Sequence, residues 1–442
     1  MSKQDQKELR QQIACEWLEE NYLQFGSLRH DVVTDRLQIR MADSLEDGSA
    51  YSLEFRGKEI WRNLTDKDIN TMVCQCVAEK GVNISTNEMW TALKSDMVPA
   101  VHPLRAWLDG LRPYTADQPD WIDMVAQQVR VKPSGEEAKG DKARGEELWR
   151  ACFKKWFVAM VASWMKDEVV NHTVLVLVGR QGIFKTTWLD HLIPPELRAY
   201  SSKLPLSGQI SKDDRLRLCE NGMLNIDELD AMCGREMNIV KSLLTSTDVN
   251  ERAAYGRLKE RRVRLASFCA STNKREFLTD ITGNRRWLPF EVESIQNPFH
   301  TIIPYERLYA QAKALVEEGI FSYWFDMEEM EVLEAHNEEF RALENEEQLL
   351  PILFDIPAEG KGEFMTTAEI SDKLVTYGGI KKPMNSRKLG MLLSKRGYTK
   401  RTMYISGTMV RGWIVYQREA DEIKLVKKRE NVLTSLQPDN LF

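Results

Sequence analysis

The chain has 442 residues, of which 43% are hydrophobic and 29% are charged, and its formal net charge is −6. This composition is that of an ordinary globular protein with apolar residues enough for about two to four domains. No apolar run approaches the roughly 20 residues of a membrane-spanning helix, and the first residues lack the apolar core of a signal peptide. We therefore expect a cytoplasmic protein whose scattered cysteines stay reduced.

The negative net charge is distributed unevenly along the chain. Residues 326–347 are densely acidic, whereas the segment from Tyr377 to Arg411 contains no acidic residue and many lysines and arginines. A local basic patch is what contacts with phosphate groups need, whatever the total charge. The net charge therefore does not exclude a nucleic-acid partner.

The first predicted elements form a mixed α/β module over residues 1–110. The pattern predicts a helix from Glu8 to Tyr22, a hairpin over Asp31–Arg40 and a helix from an N-cap at Thr65 to about Lys80. Residues 132–142 are polar and indicate an exposed loop or linker. A helix from Glu146 to Asp167 follows, with an aromatic face that is typical of a core.

A strand and loop then carry the most informative motif. The apolar run Val174–Val178 leads into a turn with two glycines and into Lys-Thr-Thr. This spacing is typical of a phosphate-binding loop, in which backbone N–H groups wrap the β-phosphate at a helix N-terminus. The lysine would neutralise the β- and γ-phosphates, and the first threonine would offer a hydroxyl to Mg²⁺. The candidate nucleotide-binding residues are Gly179, Gly182, Lys185, Thr186 and Thr187.

One position departs from the usual G-x-x-x-x-G-K-[ST] pattern. Phe184 stands where the last glycine belongs, and glycine normally lets the backbone approach phosphate with no Cβ in the way. The Phe184 ring is therefore expected to point away from the nucleotide. The alternative is an ordinary strand-turn-helix with a chance Lys-Thr-Thr.

Two later strands end in polar residues that suit the same chemistry. The strand from Gly222 to Ile226 precedes Asp227, which would hold Mg²⁺, and Glu228, which would polarise the attacking water. A second strand, from Val263 to Ala270, leads to Asn273, which could orient that water. The alternatives are an acidic turn after a strand and an asparagine that closes a turn.

Arg285 and Arg286 follow a further turn. A guanidinium can stabilise the charge of a transferring γ-phosphoryl group, and in ring ATPases it acts from the neighbouring subunit. The alternative is a surface arginine pair in a structural salt bridge.

The segment Lys241–Arg262 is basic in its second half and carries one aromatic residue. A loop that pairs a stacking ring with cations suits a single nucleic-acid strand, and a solvated charged hairpin is the alternative. The candidate DNA contacts in this half are Arg252, Tyr255, Arg257 and Lys259.

The C-terminal part predicts a small separate domain. A helix from Ala368 to Tyr377, a second helix from a cap at Ser386 to Lys395, and a hairpin about Ser406-Gly407-Thr408 form a winged-helix pattern. The second helix and the hairpin are basic, which favours DNA binding over the alternative, a protein-docking winged helix. The candidate DNA contacts here are Arg387, Lys388, Lys395 and Arg401.

In chain order these motifs read GRQGIFKTTW, NIDELD, IVKSLLTSTDVNERAAYGR, CASTNKREFLTD and TGNRRWLPFEV. Over roughly residues 95–295 this order resembles the virulence-associated protein E family, helicase-like ATPases of phages, plasmids and integrated mobile elements that are related to superfamily 3 helicases. The resemblance implies ATP and Mg²⁺ as cofactors, Asn273 as the γ-phosphate sensor and Arg285 or Arg286 as a trans-acting arginine. It also implies that Lys241 belongs to a segment leading into a DNA-contacting loop.

The predicted fold class is therefore α/β, with an AAA+-like P-loop ATPase core, an α/β N-terminal module and a C-terminal winged-helix domain. The predicted domains are 1–110, the core 111–325, an acidic helical junction 326–363 and the winged helix with its tail 364–442. The predicted function is an ATP-dependent DNA helicase or replication-initiation ATPase of a phage or mobile element. The resemblance implies a homo-oligomeric ring, which we expect to be hexameric and to act on single- and double-stranded DNA, with replication proteins as further partners. The alternatives are an ATPase switch that remodels a protein partner and a non-catalytic DNA-binding scaffold.

Overall fold

The computed structural model describes residues 2–41, 60–133, 142–204, 211–227, 229, 234–251, 260–278, 284–358, 362–381, 383–405 and 407–426. The chain divides into two compact units. Unit 1 comprises Met1–Arg275 and Arg285–Glu339, and unit 2 comprises Glu276–Asn284 and Phe340–Phe442. Both units combine helices with β-sheet, so the expected mixed α/β class is confirmed.

The first part of unit 1 contains helices and a small sheet around one core. The predicted hairpin is present, and its strands extend a sheet of order β3-β2-β1-β4. Thr65 caps the second helix by accepting a hydrogen bond from the Asp68 N–H, as predicted. The first helix begins earlier than predicted because Ser2 caps it. The elements are α1 (Lys3–Leu18), β1 (Leu28–Asp31), β2 (Arg36–Arg40), β3 (Trp61–Asn63), α2 (Asp66–Lys80), α3 (Thr86–Leu93) and β4 (Ala100–Val101).

The next elements are α4 (Pro103–Asp109), α5 (Trp121–Ala126), β5 (Val129–Val131) and α6 (Lys142–Met165). The aromatic face predicted for α6 is buried, as expected for a helix at the centre of a core. Its rings share a core with the strand residues Leu175, Leu177 and Phe290. The buried aromatic residues of α6 are Trp149, Phe153, Trp156, Phe157 and Trp164.

The largest sheet of unit 1 has the order β5-β12-β6-β11-β8-β7. All its strands run parallel except β5, which is antiparallel to β12 at one edge. Strands β6, β8 and β11 are buried throughout, which explains the unbroken apolar sequence of β6 and the mostly apolar sequence of β8. The elements are β6 (Val174–Val178), α7 (Lys185–Asp190), β7 (Ser201–Lys203), α8 (Lys212–Glu220), β8 (Met223–Ile226), α9 (Gly234–Thr245), β9 (Asp248–Glu251), β10 (Glu260–Val263), β11 (Ser267–Thr272) and β12 (Trp287–Ile295).

The single strand predicted from Val263 to Ala270 is wrong in its extent. Val263 ends β10, which pairs with β9, and β11 begins only at Ser267. The backbone between them bonds elsewhere: the Arg264 N–H donates to Thr247, and the next two N–H groups donate to Leu218. Because these N–H groups do not bond to a neighbouring strand, the apolar run 263–270 is divided between two sheets.

Unit 1 ends with α10 (Tyr305–Glu318) and α11 (Met327–Asn337). Unit 2 contains α12 (Asn345–Leu353), β13 (Phe354–Asp355), β14 (Glu363–Met365), α13 (Thr367–Gly378), α14 (Ser386–Lys395), β15 (Thr399–Ile405) and β16 (Thr408–Gln417). The two helices and the hairpin predicted for this part are present, and β15 pairs with β16 along its whole length. The predicted cap at Ser386 is wrong by one residue: Asn385 caps α14 by accepting from the Arg387 N–H.

The acidic segment forms α11 and the start of α12, as the predicted helical character required. Its one arginine, Arg341, is buried and pairs with the buried carboxylate of Glu347. Among the helices of the described residues, none is both long enough and apolar enough to cross a membrane.

Candidate functional site

Three strands that carry predicted motifs lie side by side in the main sheet. Strands β6, β11 and β8 are adjacent and parallel, so their carboxyl ends meet at one edge. Gly179, Asn273 and Asp227 are the residues that follow these three ends. Open parallel sheets bind ligands outside the carboxyl ends of their strands, and this edge is therefore the candidate site.

The loop after β6 needs glycine at two positions. A Cβ on Gly179 would lie 3.2 Å from the Val292 carbonyl oxygen and 3.1 Å from Ile183 Cδ1. Gly182 has φ of +85°, a left-handed conformation that side chains disfavour. The sequence pattern of the loop therefore has a steric basis.

Phe184 also adopts the left-handed conformation, with φ of 66° and ψ of 18°. It thus takes a backbone geometry that glycine adopts more readily, and the cost is of the order of 1–2 kcal/mol. Its ring packs edge-on against Phe299, with ring centroids 6.3 Å apart. The ring is directed into protein contacts, and the loop keeps a glycine-like backbone without a glycine.

Lys185 is at the centre of the site and only 7% exposed. Its Nζ donates to the carbonyl oxygens of Gly179 at 2.7 Å and Arg180 at 2.8 Å, and to Asn273 Oδ1 at 3.1 Å. One ammonium group thus joins the loop after β6 to the residue that follows β11. The structure therefore brings two of the predicted site residues, Lys185 and Asn273, into direct contact.

A second group of contacts surrounds Asp227. Its Oδ1 accepts hydrogen bonds from Thr186 Oγ1 and Ser271 Oγ, each at 3.1 Å, and its Oδ2 accepts from Lys203 Nζ at 2.7 Å. Burial favours the neutral acid, but the bonds from Lys203, Thr186 and Ser271 outweigh it and lower the pKa of Asp227 below its ordinary value. The carboxylate is therefore charged at neutral pH, beside the threonine hydroxyl predicted to share a metal with it.

Ser271 and Lys203 are site residues that sequence reasoning missed. Ser271 lies near the end of β11, two residues before Asn273. Because side chains two residues apart in a strand lie on the same face, this spacing could have indicated that Ser271 faces the site. Lys203 ends β7, a three-residue strand without an apolar pattern. No signal in the sequence placed that lysine beside Asp227.

Several predicted residues lie elsewhere. Arg285 and Arg286 precede Trp287, which pairs with Val174 at the start of β6. They are therefore at the opposite edge of the sheet from the loop, about 15 Å away along a five-residue strand. Lys241 lies half-buried on α9. The residues that fall outside the described part of the chain are Glu228, Arg252, Tyr255, Arg257 and Lys259.

In unit 2 the predicted DNA contacts separate into two groups. Arg387 and Lys395 line a groove of about 700 Å³ between α14 and the β15–β16 hairpin. Lys388 instead donates to the carboxylate of Glu344, and Arg401 is absent from the residues that line this groove. Within the described residues, no group of three or more histidine, cysteine or acidic side chains has metal-binding geometry.

Residues 141–342 match the family model of the virulence-associated protein E-like domain. The chain therefore contains a domain of this family, and the resemblance inferred from its motifs is confirmed. The matched segment starts and ends later than the roughly 95–295 expected from the motifs. None of the curated proteins matches the chain.

Solved structures are similar at low identity. "The apo structure of NrS-1 C terminal region (305-718)" has a TM-score of 0.44 at 11% identity, covering 89% of this chain and 97% of that chain. "The A form apo structure of NrS-1 C terminal region-CTR" has a TM-score of 0.41 at 11% identity, covering 89% and 97% of the two chains. At this identity and these TM-scores the similarity supports no functional assignment.

Proposed function

We propose that this protein is an ATP-dependent, ring-forming DNA helicase or replication-initiation ATPase of a phage or mobile genetic element. The observation that most supports the proposal is the convergence of Lys185, Thr186 and Asp227 at one edge of a parallel sheet. The virulence-associated protein E-like domain supports the mobile-element setting. In this proposal unit 1 contains an AAA+-like P-loop ATPase core, and α13, α14 and the β15–β16 hairpin form a winged-helix domain.

The loop residues 179–184 and Lys185 would hold the triphosphate. The loop offers backbone N–H groups, and the Lys185 ammonium lies against two of its carbonyl oxygens within 2.8 Å. A short movement of this side chain would exchange those neutral oxygens for phosphate oxygens, which bind a cation more strongly. Lys185 would thereby neutralise the β- and γ-phosphates.

The oxygen atoms around Asp227 fit a magnesium ion that accompanies the nucleotide. Mg²⁺ prefers hard oxygen ligands and usually keeps several waters while binding one or two carboxylates and phosphate oxygens. The Thr186 hydroxyl and the Asp227 carboxylate, 3.1 Å apart, supply such oxygens, and Ser271 adds a hydroxyl 2.9 Å from Thr186. Lys203 would have to release one Asp227 oxygen when the metal binds.

The remaining roles concern water and the transferring phosphoryl group. In our proposal Glu228 takes a proton from the attacking water, and Asn273 orients that water. The 3.1 Å bond from Lys185 to Asn273 supports a position for Asn273 next to the γ-phosphate. Arg285 or Arg286, at the opposite edge of the sheet, would act on the nucleotide of a neighbouring subunit, because both are too distant to reach a nucleotide bound in the same subunit.

The proposal is tested by ATP binding and hydrolysis with and without single-stranded DNA. We expect Lys185→Ala to abolish tight ATP binding, while Lys94→Ala, which removes an exposed lysine after α3, leaves it unchanged. Glu228→Gln should keep ATP bound and slow turnover by about 10²–10⁴-fold, because an amide cannot accept the proton.

Other results would redirect or reject the proposal. If the rate of ATP hydrolysis is the same with and without DNA, the result would favour a switch that remodels a protein partner. If the chain binds ATP but does not hydrolyse it, the result would favour a DNA-binding scaffold. If Lys185→Ala binds ATP as tightly as the wild-type chain, the loop is not a phosphate-binding site.

A further inference from the structure

Unit 2 contains a cationic groove between α14 and the β15–β16 hairpin. Helix α14 contributes Arg387 and Lys395, and the hairpin contributes Lys400 and Arg411. No acidic side chain is among the described residues that line it. The groove therefore has the charge that complements a chain of phosphate groups.

Gly390 and Trp413 lie next to each other in the lining of the groove. A Cβ on Gly390, in the middle of α14, would lie 3.8 Å from Cζ2 of Trp413, so a larger side chain there would fill the space above the indole. Trp413 is held in place by the bond from its Nε1 to Thr367 Oγ1 at 3.0 Å.

The hairpin continues this surface beyond the groove. Lys400 pairs with Trp413, Thr402 with Arg411 and Tyr404 with Met409, and side chains two residues apart share a face of a strand. Tyr404 and Met409 therefore project from the same face as the cations, towards the tip. They are 75% and 57% exposed, so both side chains are accessible to a ligand from solvent.

We infer that this face binds a single nucleic-acid strand, with phosphodiester groups in the groove and an unpaired base stacked on Tyr404. A groove of about 700 Å³ has the size of a site for a nucleotide. Stacking on a side chain requires a free base face, which paired bases inside a duplex do not offer. Cations combined with an exposed ring are the usual features of single-strand recognition. The inference rests on the proposed role in DNA metabolism but is independent of ATP hydrolysis.

The first test measures binding of the full chain, without nucleotide, to a labelled oligothymidylate and to its duplex with oligoadenylate. We expect Tyr404→Ala to weaken single-strand binding at least about fivefold and to leave duplex binding unchanged. Arg411→Gln should lower the slope of log affinity against log salt by about 0.7, the share of one phosphate contact. Lys373→Gln is the matched control for the loss of one positive charge, because Lys373 is exposed on α13, donates to Gln417 Oε1 and is not among the residues that line the groove.

The second test locates the strand directly. An oligothymidylate that contains 5-iododeoxyuridine should crosslink on irradiation to the peptide that carries Tyr404, as read by mass spectrometry. Crosslinks confined to other peptides would overturn the inference, and so would equal effects of Lys373→Gln and Arg411→Gln. Preferred duplex binding that is insensitive to Tyr404→Ala would show an ordinary duplex-binding wing instead. Each of these results leaves the ATPase proposal intact, since that is read from Lys185 variants.

Discussion

Phe184 shows how a single residue preserves the shape of the loop at a cost. Its φ of 66° lies in the left-handed region, and its half-buried ring packs on Phe299 and on the main core of unit 1. The contacts of the ring thus offset a backbone conformation that glycine would adopt freely. Phenylalanine in place of the usual glycine therefore changes how the loop is stabilised but keeps the backbone conformation of the loop.

This balance predicts an order of stability for two variants. Phe184→Ala and Phe184→Gly both lose the ring, but only glycine relieves the left-handed strain. We expect Phe184→Gly to be about 1 kcal/mol more stable than Phe184→Ala in urea denaturation. Phe299→Ala serves as a control for the ring contact, since it leaves the backbone of residue 184 unchanged. Equal stability of the two variants would mean that residue 184 is not left-handed in solution.

Asp227 and Asp190 show that the pKa of an aspartate depends on the groups around it. A lysine and two hydroxyls donate to its carboxylate, and together they keep its pKa low despite partial burial. Asp190, the last residue of α7, has the opposite environment: burial raises its pKa, and Asn225 Nδ2 donates to it at 2.7 Å. Of these two carboxylates, only Asp227 has neighbours that together favour its charged form.

The junction between α9, the β9–β10 hairpin and β11 depends on one buried side chain. The Arg264 guanidinium is 0% exposed and donates to the carbonyl oxygens of Leu243 and Leu244 at the end of α9, and to that of Asn171 before β6. Burial lowers the pKa of Arg264 to about 9, so the group remains charged at neutral pH. The end of a helix is a favourable place for this charge, because the helix dipole is negative there.

Removing this side chain should therefore disrupt several elements at once. We expect Arg264→Met to lower the free energy of unfolding by about 3 kcal/mol or more, because buried carbonyl oxygens lose their donors. Arg261→Met is the matched control: that arginine is mostly exposed, and its ion pair with Asp248 is worth less than about 1 kcal/mol. Urea denaturation of both variants measures the difference, and similar losses would contradict the role assigned to Arg264.

In the molecule as a whole, the two edges of the main sheet have different chemistry. The carboxyl edge carries Lys185, Thr186 and Asp227, and the amino edge carries Arg285 and Arg286. Arg285 is exposed and Arg286 is half-buried. In the proposed function, a nucleotide bound at the carboxyl edge of one subunit would face the exposed arginine of the next if subunits assembled head to tail, as in a closed ring.

Mixing experiments test this assembly. Adding Arg285→Ala subunits to wild-type protein should lower the ATPase rate by more than the decrease in wild-type content alone, because each variant subunit also disables the site of its neighbour. A mixture of Lys185→Ala with Arg285→Ala should regain some activity at interfaces that combine an intact loop with an intact arginine, whereas each variant alone remains inactive. Arg286→Ala is the control for a nearby charge. Activity strictly proportional to the wild-type content would mean that the active unit is a monomer.

The sequence by itself determined the features that depend on local patterns. The capped start of α2 at Asp66, the aromatic core face of α6, strand β6 with its loop, and the order of two helices and a hairpin in unit 2 follow from capping residues, periodicity and glycines. The family was also readable, because its motifs are short contiguous segments. Such signals lie within a few residues of each other and need no tertiary contact.

Only the tertiary structure decided which distant residues meet. Parallel strands bring Lys203 and Ser271 to Asp227, and helix α7 adds Thr186, while the same parallel arrangement places Arg285 at the far edge. The apolar run at 263–270 was divided because Arg264 bonds to carbonyl groups of other elements. Strand order and side-chain partners are set by long-range packing and hydrogen bonding, which a one-dimensional pattern does not contain.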